Sequence, residues 1–204
     1  DEGSQLAVAL ADAKPGDTVI DLAAGAGGKS LALAAAMENR GRVLACDIEP
    51  IRLRKMEPRV IRAGATIIDI VGDPYGGAIA TAVGEGADIV FVDAPCSGTG
   101  TWRRNPETRW RIKPTDLPRF TALQARLLDL AAGLTAPGGR IGYVVCSLLD
   151  AEGADQAAAF LTRHPGWGAA TVQAPAGRVR GTGMRLTPLH DGTDGFFFTV
   201  LQRL

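Results

Sequence analysis

The feature that most constrains this chain is an alternation of two patterns. Five short apolar runs, at residues 18–22, 42–46, 66–71, 88–93 and 140–146, are separated by stretches with helical periodicity at 29–39, 50–63, 118–134 and 151–163. The runs are β-branched and apolar throughout rather than at every second position, as in strands covered on both faces. Strands alternating with helices require crossover connections, which are right-handed, so the pattern predicts an α/β fold with a parallel, doubly wound sheet. Residues 195–204, carrying Phe196, Phe197, Phe198, Thr199 and Val200, read as one more strand, preceded by another around 171–173. The 204 residues suit one domain with a sizeable core. No apolar run approaches the roughly 20 residues of a membrane helix, so no membrane is expected.

In such sheets ligands bind beyond the carboxyl ends of the strands, near the point where strand order reverses. Those ends carry Asp21 to Gly25, Cys46 and Asp47, Asp93 to Cys96, and Cys146 with Ser147. Acids, glycines and two thiols gathered on one rim are not what packing demands. The turn from Asp21 to Ser30, DLAAGAGGKS, follows a strand and opens a helix. Gly28, Lys29 and Ser30 end like a phosphate-binding P-loop, but its first glycine would fall at Ala23. Gly25 and Gly27 begin like a dinucleotide fingerprint, whose third glycine would fall at Ser30. The third reading is an adenosylmethionine turn, with the acid at Asp47, about 20 residues on, holding the ribose hydroxyls.

The three cysteines, Cys46, Cys96 and Cys146, form no CxxC pair, which argues against a disulfide framework or a zinc site. No metal is expected, and the thiols suit a reducing, cytoplasmic setting. Cys46 reads as a small buried hydrophobe. Cys96 and Cys146, each followed by serine at a strand end, suit a specific chemistry. Carbon 5 of cytosine is a poor nucleophile. A thiolate added at carbon 6 turns carbon 5 into an enamine-like centre able to attack a sulfonium methyl group. That reaction needs a nucleophilic thiol, a group holding the pyrimidine edge, and a group that completes elimination. Cys146, Asp93 and Cys96 can supply these in turn. An ordinary thiol pKa is roughly 8.5, so the nucleophile needs activation. His164 and His190 follow no strand end, which leaves Lys29 and the helix expected after Asp150 as activators.

Net charge is zero, but its distribution is uneven. Arg103, Arg104, Arg109, Arg111, Lys113 and Arg119 face only Glu107 and Asp116 within one stretch. This stretch lies in a connection long enough to be functional. Local basic stripes on a neutral protein suit an RNA-facing surface. Trp102 or Trp110 either stacks on an unpaired base or anchors the loop.

These motifs together make the chain similar to the Sun/Nop family of RNA cytosine-5 methyltransferases, whose bacterial members modify ribosomal RNA. The resemblance spans essentially the whole sequence. The family turn DxCAAPGGK is matched by Asp21 to Lys29, DAPCSGxG by Asp93 to Gly100, TCS by Val145 to Ser147, and DGFF by Asp194 to Phe197. The segment with Arg103, Arg104, Pro106 and Trp110 also matches. Ala23 stands for the turn's cysteine, Gly25 and Ala26 for its Ala-Pro, and Val145 for the threonine.

The resemblance implies a Rossmann-like class I methyltransferase fold with an antiparallel C-terminal strand. S-adenosyl-L-methionine would be the cofactor and RNA the partner, with a monomeric protein. Ala23, Ala24, Gly25, Ala26, Gly27, Gly28, Lys29, Asp47, Asp73 and Asp93 would surround cofactor and target base. Cys146 would be the nucleophile and Cys96 would assist product release. DNA cytosine methylases use a cysteine at the position of Cys96, so the two-cysteine arrangement implies RNA. Residues 1–204 would form one catalytic domain, without the upstream RNA-binding module common in the family. An inactive RNA-binding or ribosome-assembly factor is the alternative; intact Cys146, Cys96, Asp93 and Lys29 argue against it.

Overall fold

The computed structural model describes residues 1–72 and 77–204; Asp73 lies outside the described residues. Helix α1 (Glu2–Leu10) leads into β1 (Thr18–Asp21), α2 (Gly28–Ala36), β2 (Arg42–Asp47), α3 (Pro50–Ala63), β3 (Ile68–Gly72), α4 (Gly77–Val83) and β4 (Ala87–Asp93). A connection with three short 3-10 turns follows, then α5 (Leu117–Leu134), β5 (Thr135–Val145), α6 (Ala154–Arg163) and β6 (Trp167–Ala169). The chain closes with β7 (Arg178–Arg180), β8 (Gly183–Leu186), α7 (Pro188–Asp191) and β9 (Phe196–Arg203). Among the described residues the strands form one sheet in the order β3-β2-β1-β4-β5-β9-β8-β7, with β6 also on β9. Neighbours from β3 through β5 are parallel, and β5–β9, β9–β8, β8–β7 and β6–β9 are antiparallel. The doubly wound sheet with an antiparallel C-terminal strand is thus present. Strand order reverses between β1 and β4.

Alternate residues of each central strand enter different cores. Val19, Val43, Ala45, Ile89 and Phe91 pack with Ala7 and Val8 of α1, Leu33 of α2 and Met56 of α3. Ile20, Leu44, Val90, Val92 and Tyr143 pack with Leu128 and Ala131 of α5 and Ala157 and Phe160 of α6. This two-sided burial is why the strands show no polar alternation.

Several boundaries differ from the sequence-based expectation, each for a local reason. Helix α2 stops at Ala36 rather than 39, because Glu38 and Asn39 are left-handed with φ 53° and 55°. The stretch 151–163 is divided at Gly153 into a 3-10 turn (Asp150–Glu152) and α6; a Cβ there would lie 2.7 Å from Phe197 Cγ. The strand expected at 171–173 is instead β6, at Trp167–Ala169. Trp167 stacks edge-on against Phe160, fixing which residues reach β9, and β8 already occupies that edge of β9 at Phe196–Phe198. Strand β5 begins at Thr135, directly after α5. Helices α1, α4 and α7 and strands β7 and β8 were not anticipated. Among the described residues no helix is long and apolar enough to cross a membrane.

Candidate active site

The carboxyl ends of β1, β2, β4 and β5 converge on one cavity of about 840 Å³. Its walls include Ala23, Ala24, Gly25, Ala26, Gly28 and Lys29 from the glycine turn, Asp47 and Glu49 after β2, Asp93 and Cys96 after β4, and Cys146 after β5. Nearly all the rim residues singled out from sequence therefore meet. Gly27 faces the other way: its φ is 81°, and a Cβ there would sit 2.4 Å from Met56 Cγ. That glycine serves both the left-handed turn and the packing of α3. At Gly25 and Gly28 a Cβ would meet nothing within 4 Å, so the turn's backbone borders open space.

The turn is held from three sides. Asp47 Oδ2 accepts from the Gly25 N–H at 2.8 Å, and its Oδ1 accepts from the Glu49 N–H at 2.8 Å. Arg59 of α3 donates to the Ala26 carbonyl. Beneath, Ser30 Oγ donates to Asp21 Oδ2 at 2.6 Å. Asp21 is fully buried; burial pushes its carboxyl up to about 7, opposed by the Ser30 hydrogen bond and raised further by Asp93. Lys29 opens α2 and reaches across to Asp93, Nζ to Oδ2 2.6 Å, with both side chains largely sheltered.

Cys96 and Cys146 leave adjacent parallel strands, and their Sγ atoms lie 3.4 Å apart. The shared hydrogen bond splits them. It raises the Cys96 thiol well above its ordinary value, with burial adding to the rise. It holds Cys146 below the ordinary value, against burial and the Asp93 charge, with Lys29 contributing in the same direction. The neighbouring thiol thus lowers Cys146 more than Lys29 does. Cys46 is buried, as a small core residue.

The connection after Cys96 is tied to the last motif of the chain. Gly98 is left-handed, with φ 70°. The Gly100 N–H donates to the Cys146 carbonyl at 3.0 Å, and the Gly195 N–H donates to the Gly100 carbonyl at 2.8 Å. Asp194, wholly buried, receives Arg103 at 3.3 Å and Arg104 at 2.5 Å. Arg103 also approaches Asp1, the N-cap of α1, at 3.5 Å. Arg103 and Arg104 thus pin the loop to the body while remaining 45% and 51% exposed. Arg109 and Arg111 are exposed, and the Arg109 guanidinium lies 4.7 Å from the ring centre of Trp110, itself 79% exposed. None of these four arginines lines the cavity; Arg119 and Phe120 do.

Sequence reasoning missed Arg59, Glu152 and the anchoring role of Asp194. Asp194 lies in the DGFF motif already recognised, Glu152 follows the TCS-like motif by a few residues, and nothing in the helical pattern of α3 singles out Arg59.

Known proteins are similar to this chain in sequence and fold. Ribosomal RNA small subunit methyltransferase B of Thermus thermophilus is 38% identical over 202 residues, covering 98% of this chain and 48% of the relative. The crystal structure of PH0851 superposes with a TM-score of 0.94 at 36% identity, covering 99% of this chain and 46% of the other. NSun6 from Pyrococcus horikoshii with SFG superposes at 0.87 and 26% identity, covering 98% of this chain and 51% of the other. The chain spans about half the length of the curated relatives it matches. The family model for 16S rRNA methyltransferase RsmB/F matches residues 7–202. With that match running over nearly the whole chain, the chain belongs to the 16S rRNA methyltransferase RsmB/F family.

Proposed function

We propose that this domain transfers a methyl group from S-adenosyl-L-methionine to carbon 5 of a cytosine in ribosomal RNA, through a covalent adduct on Cys146. The observation that carries the reading is the pair of thiols 3.4 Å apart in the same cavity wall as the Lys29–Asp93 ion pair. Glycine backbone open to the cavity, with the Asp47 and Asp93 carboxylates in the same wall, fits an adenosylmethionine; SFG, found with NSun6, is an analogue of that cofactor. When bound, the cofactor supplies an electrophilic methyl group.

The chain's own residues do the rest. Ala23, Ala24, Gly25, Ala26, Gly28, Lys29 and Asp47 would hold the cofactor, with Asp47 organising the turn and accepting from the ribose. Asp73 is assigned to the cofactor on the family resemblance. Asp93 holds the pyrimidine edge, and Lys29 orients its carboxylate through the 2.6 Å ion pair. Cys146 would bond to carbon 6 and so make carbon 5 nucleophilic toward the methyl group that a bound cofactor would supply, the methyl–sulfur bond breaking as the new carbon–carbon bond forms. Loss of the carbon 5 proton and cleavage of the carbon 6–sulfur bond restore the aromatic ring, a stage assisted by Cys96. Arg103, Arg104, Arg109 and Arg111 face the RNA, the last two with the freer charges.

The test is methyl transfer from labelled cofactor to RNA, combined with denaturing gels. Cys146→Ala should abolish both transfer and adduct. Cys96→Ala should still attack and methylate but accumulate RNA as a covalent complex, because the adduct forms before the step Cys96 serves. Adduct surviving in Cys146→Ala and vanishing in Cys96→Ala would reverse the roles. Cofactor and RNA binding without transfer would favour the assembly-factor alternative.

A further inference from the structure

A buried polar cluster lies directly behind the two thiols, and the chemistry above makes no use of it. Its centre is Glu152, on the 3-10 turn after β5, with no exposed surface. Glu152 Oε1 accepts from the Ser97 N–H at 2.8 Å and from Gln124 Nε2 at 3.2 Å. Its Oε2 accepts from the hydroxyls of Ser97 and Ser147, the latter at 2.6 Å. The Tyr143 hydroxyl donates to its backbone carbonyl at 2.6 Å. Ser97 follows Cys96 and Ser147 follows Cys146, so one carboxylate grips the next residue of both thiol-bearing loops.

A buried carboxylate is expensive unless several donors converge on it. Here the donors are one amide N–H, one side-chain amide and two hydroxyls. All four point at acceptors, which a carboxylate supplies and a carboxamide supplies only in half. Strand pairing brings Asp93 opposite Val144. Beyond that register the Ala94 N–H donates to the Val144 carbonyl, the Gly100 N–H to the Cys146 carbonyl, and the Leu148 N–H to Thr99 Oγ1. The carboxylate adds to these a grip on the residue directly after each cysteine.

We propose that Glu152 is a positioning residue that sets the separation of Cys96 and Cys146, and so couples attack by one thiol to release by the other. The proposal rests on the two-thiol mechanism for its catalytic consequence, but its geometric part stands alone. Glu152 does not line the cavity, so the cofactor should not sense it directly.

The test uses Glu152→Gln and, because a buried charge change can impair folding, Ser147→Ala, which leaves Glu152 three of its donors. The first readout is thiol proximity without RNA. The diazene oxidant diamide accepts two electrons and two protons from the thiols, becoming a hydrazine while Cys96 and Cys146 join as a disulfide. Wild type should form this bond rapidly. Displacement of either loop should slow it about tenfold in Glu152→Gln and less in Ser147→Ala. The second readout is turnover: kcat should fall about 10–100-fold with adenosylmethionine KM held within about twofold, and covalent RNA complex should accumulate.

Folded Glu152→Gln with wild-type disulfide rate and wild-type kcat overturns the proposal, as does a loss appearing only in cofactor KM. If Glu152→Gln fails to fold, an unchanged disulfide rate in Ser147→Ala overturns it. Wild-type protein that forms the disulfide but never methylates RNA would instead refute the proposed function, leaving the disulfide comparison to judge the clamp.

Discussion

Gly100→Ala should damage the protein out of proportion to one methyl group. A Cβ there would lie 1.9 Å from the Gly195 carbonyl oxygen and 2.6 Å from its carbon, whereas real Cβ atoms essentially never approach below 3.0 Å. The obstacle is backbone, so no side-chain rotation relieves it. The two segments must separate by about 1 Å. That movement strains both hydrogen bonds of the junction, from Gly100 to the Cys146 carbonyl and from Gly195 to the Gly100 carbonyl. Overpacking contributes about 1–3 kcal/mol and each lost hydrogen bond about 1 kcal/mol, so the variant should lose roughly 3–5 kcal/mol. For a domain of this size each kcal/mol lowers Tm by about 2–4 °C, giving a fall on the order of 10 °C. Calorimetry of wild type, Gly100→Ala and Gly133→Ala decides the matter. Gly133 is exposed within α5 with nothing within 4 Å of a new Cβ, so alanine there should stabilise by up to about 1 kcal/mol. A Gly100→Ala midpoint within about 2 °C of wild type would refute the close-approach argument.

Asp47→Ala removes the acceptor for the Gly25 and Glu49 N–H groups, and titration calorimetry should show adenosylmethionine binding weakened by roughly 1–3 kcal/mol; unchanged affinity would count against the assignment. Neutralising Arg109 and Arg111, which anchor nothing buried, should flatten the slope of log RNA affinity against log salt by about 1–2 without lowering Tm. Neutralising Arg104 should in addition destabilise the fold, because it uncovers the buried charge of Asp194. Arg180 first, then Arg185, lower the Asp150 carboxyl to about 2, so the ion pairs stabilise the fold above the ordinary carboxylate value and are lost as pH falls from about 4 to about 2. With solvent screening the contribution is about 1 kcal/mol, and the stability gap between wild type and Asp150→Asn should be present at pH 6 and vanish by about pH 2.

Much of this protein was legible in one dimension. Doubly covered parallel strands leave a sequence trace because both faces must be apolar, and the carboxyl-end rule then names the rim without coordinates. Asp47, Asp93, Cys96 and Cys146 were found this way. Short-range turn chemistry also survives in sequence, as at Gly25 and Gly27, because left-handed backbone favours glycine strongly, though Glu38 and Asn39 adopt it too.

Other features belong to the tertiary structure alone. The arginines at 103 and 104 look like free cations until the fold brings Asp194 beneath them from 90 residues away. The strand expected at 171–173 has suitable residues, but β9 has one free edge and β8 takes the part it would need. Cys96 and Cys146 carry the same side chain, and their opposite shifts arise from one contact that neither local sequence contains. Glu152 lies in a stretch that reads from sequence as the start of a helix; its four donors come from β4's loop, α5 and its own loop. Propensity and periodicity are local and are written into the chain. Charge pairing, edge competition and thiol activation depend on which distant residues the sheet brings within a few ångströms, and the fold decides them.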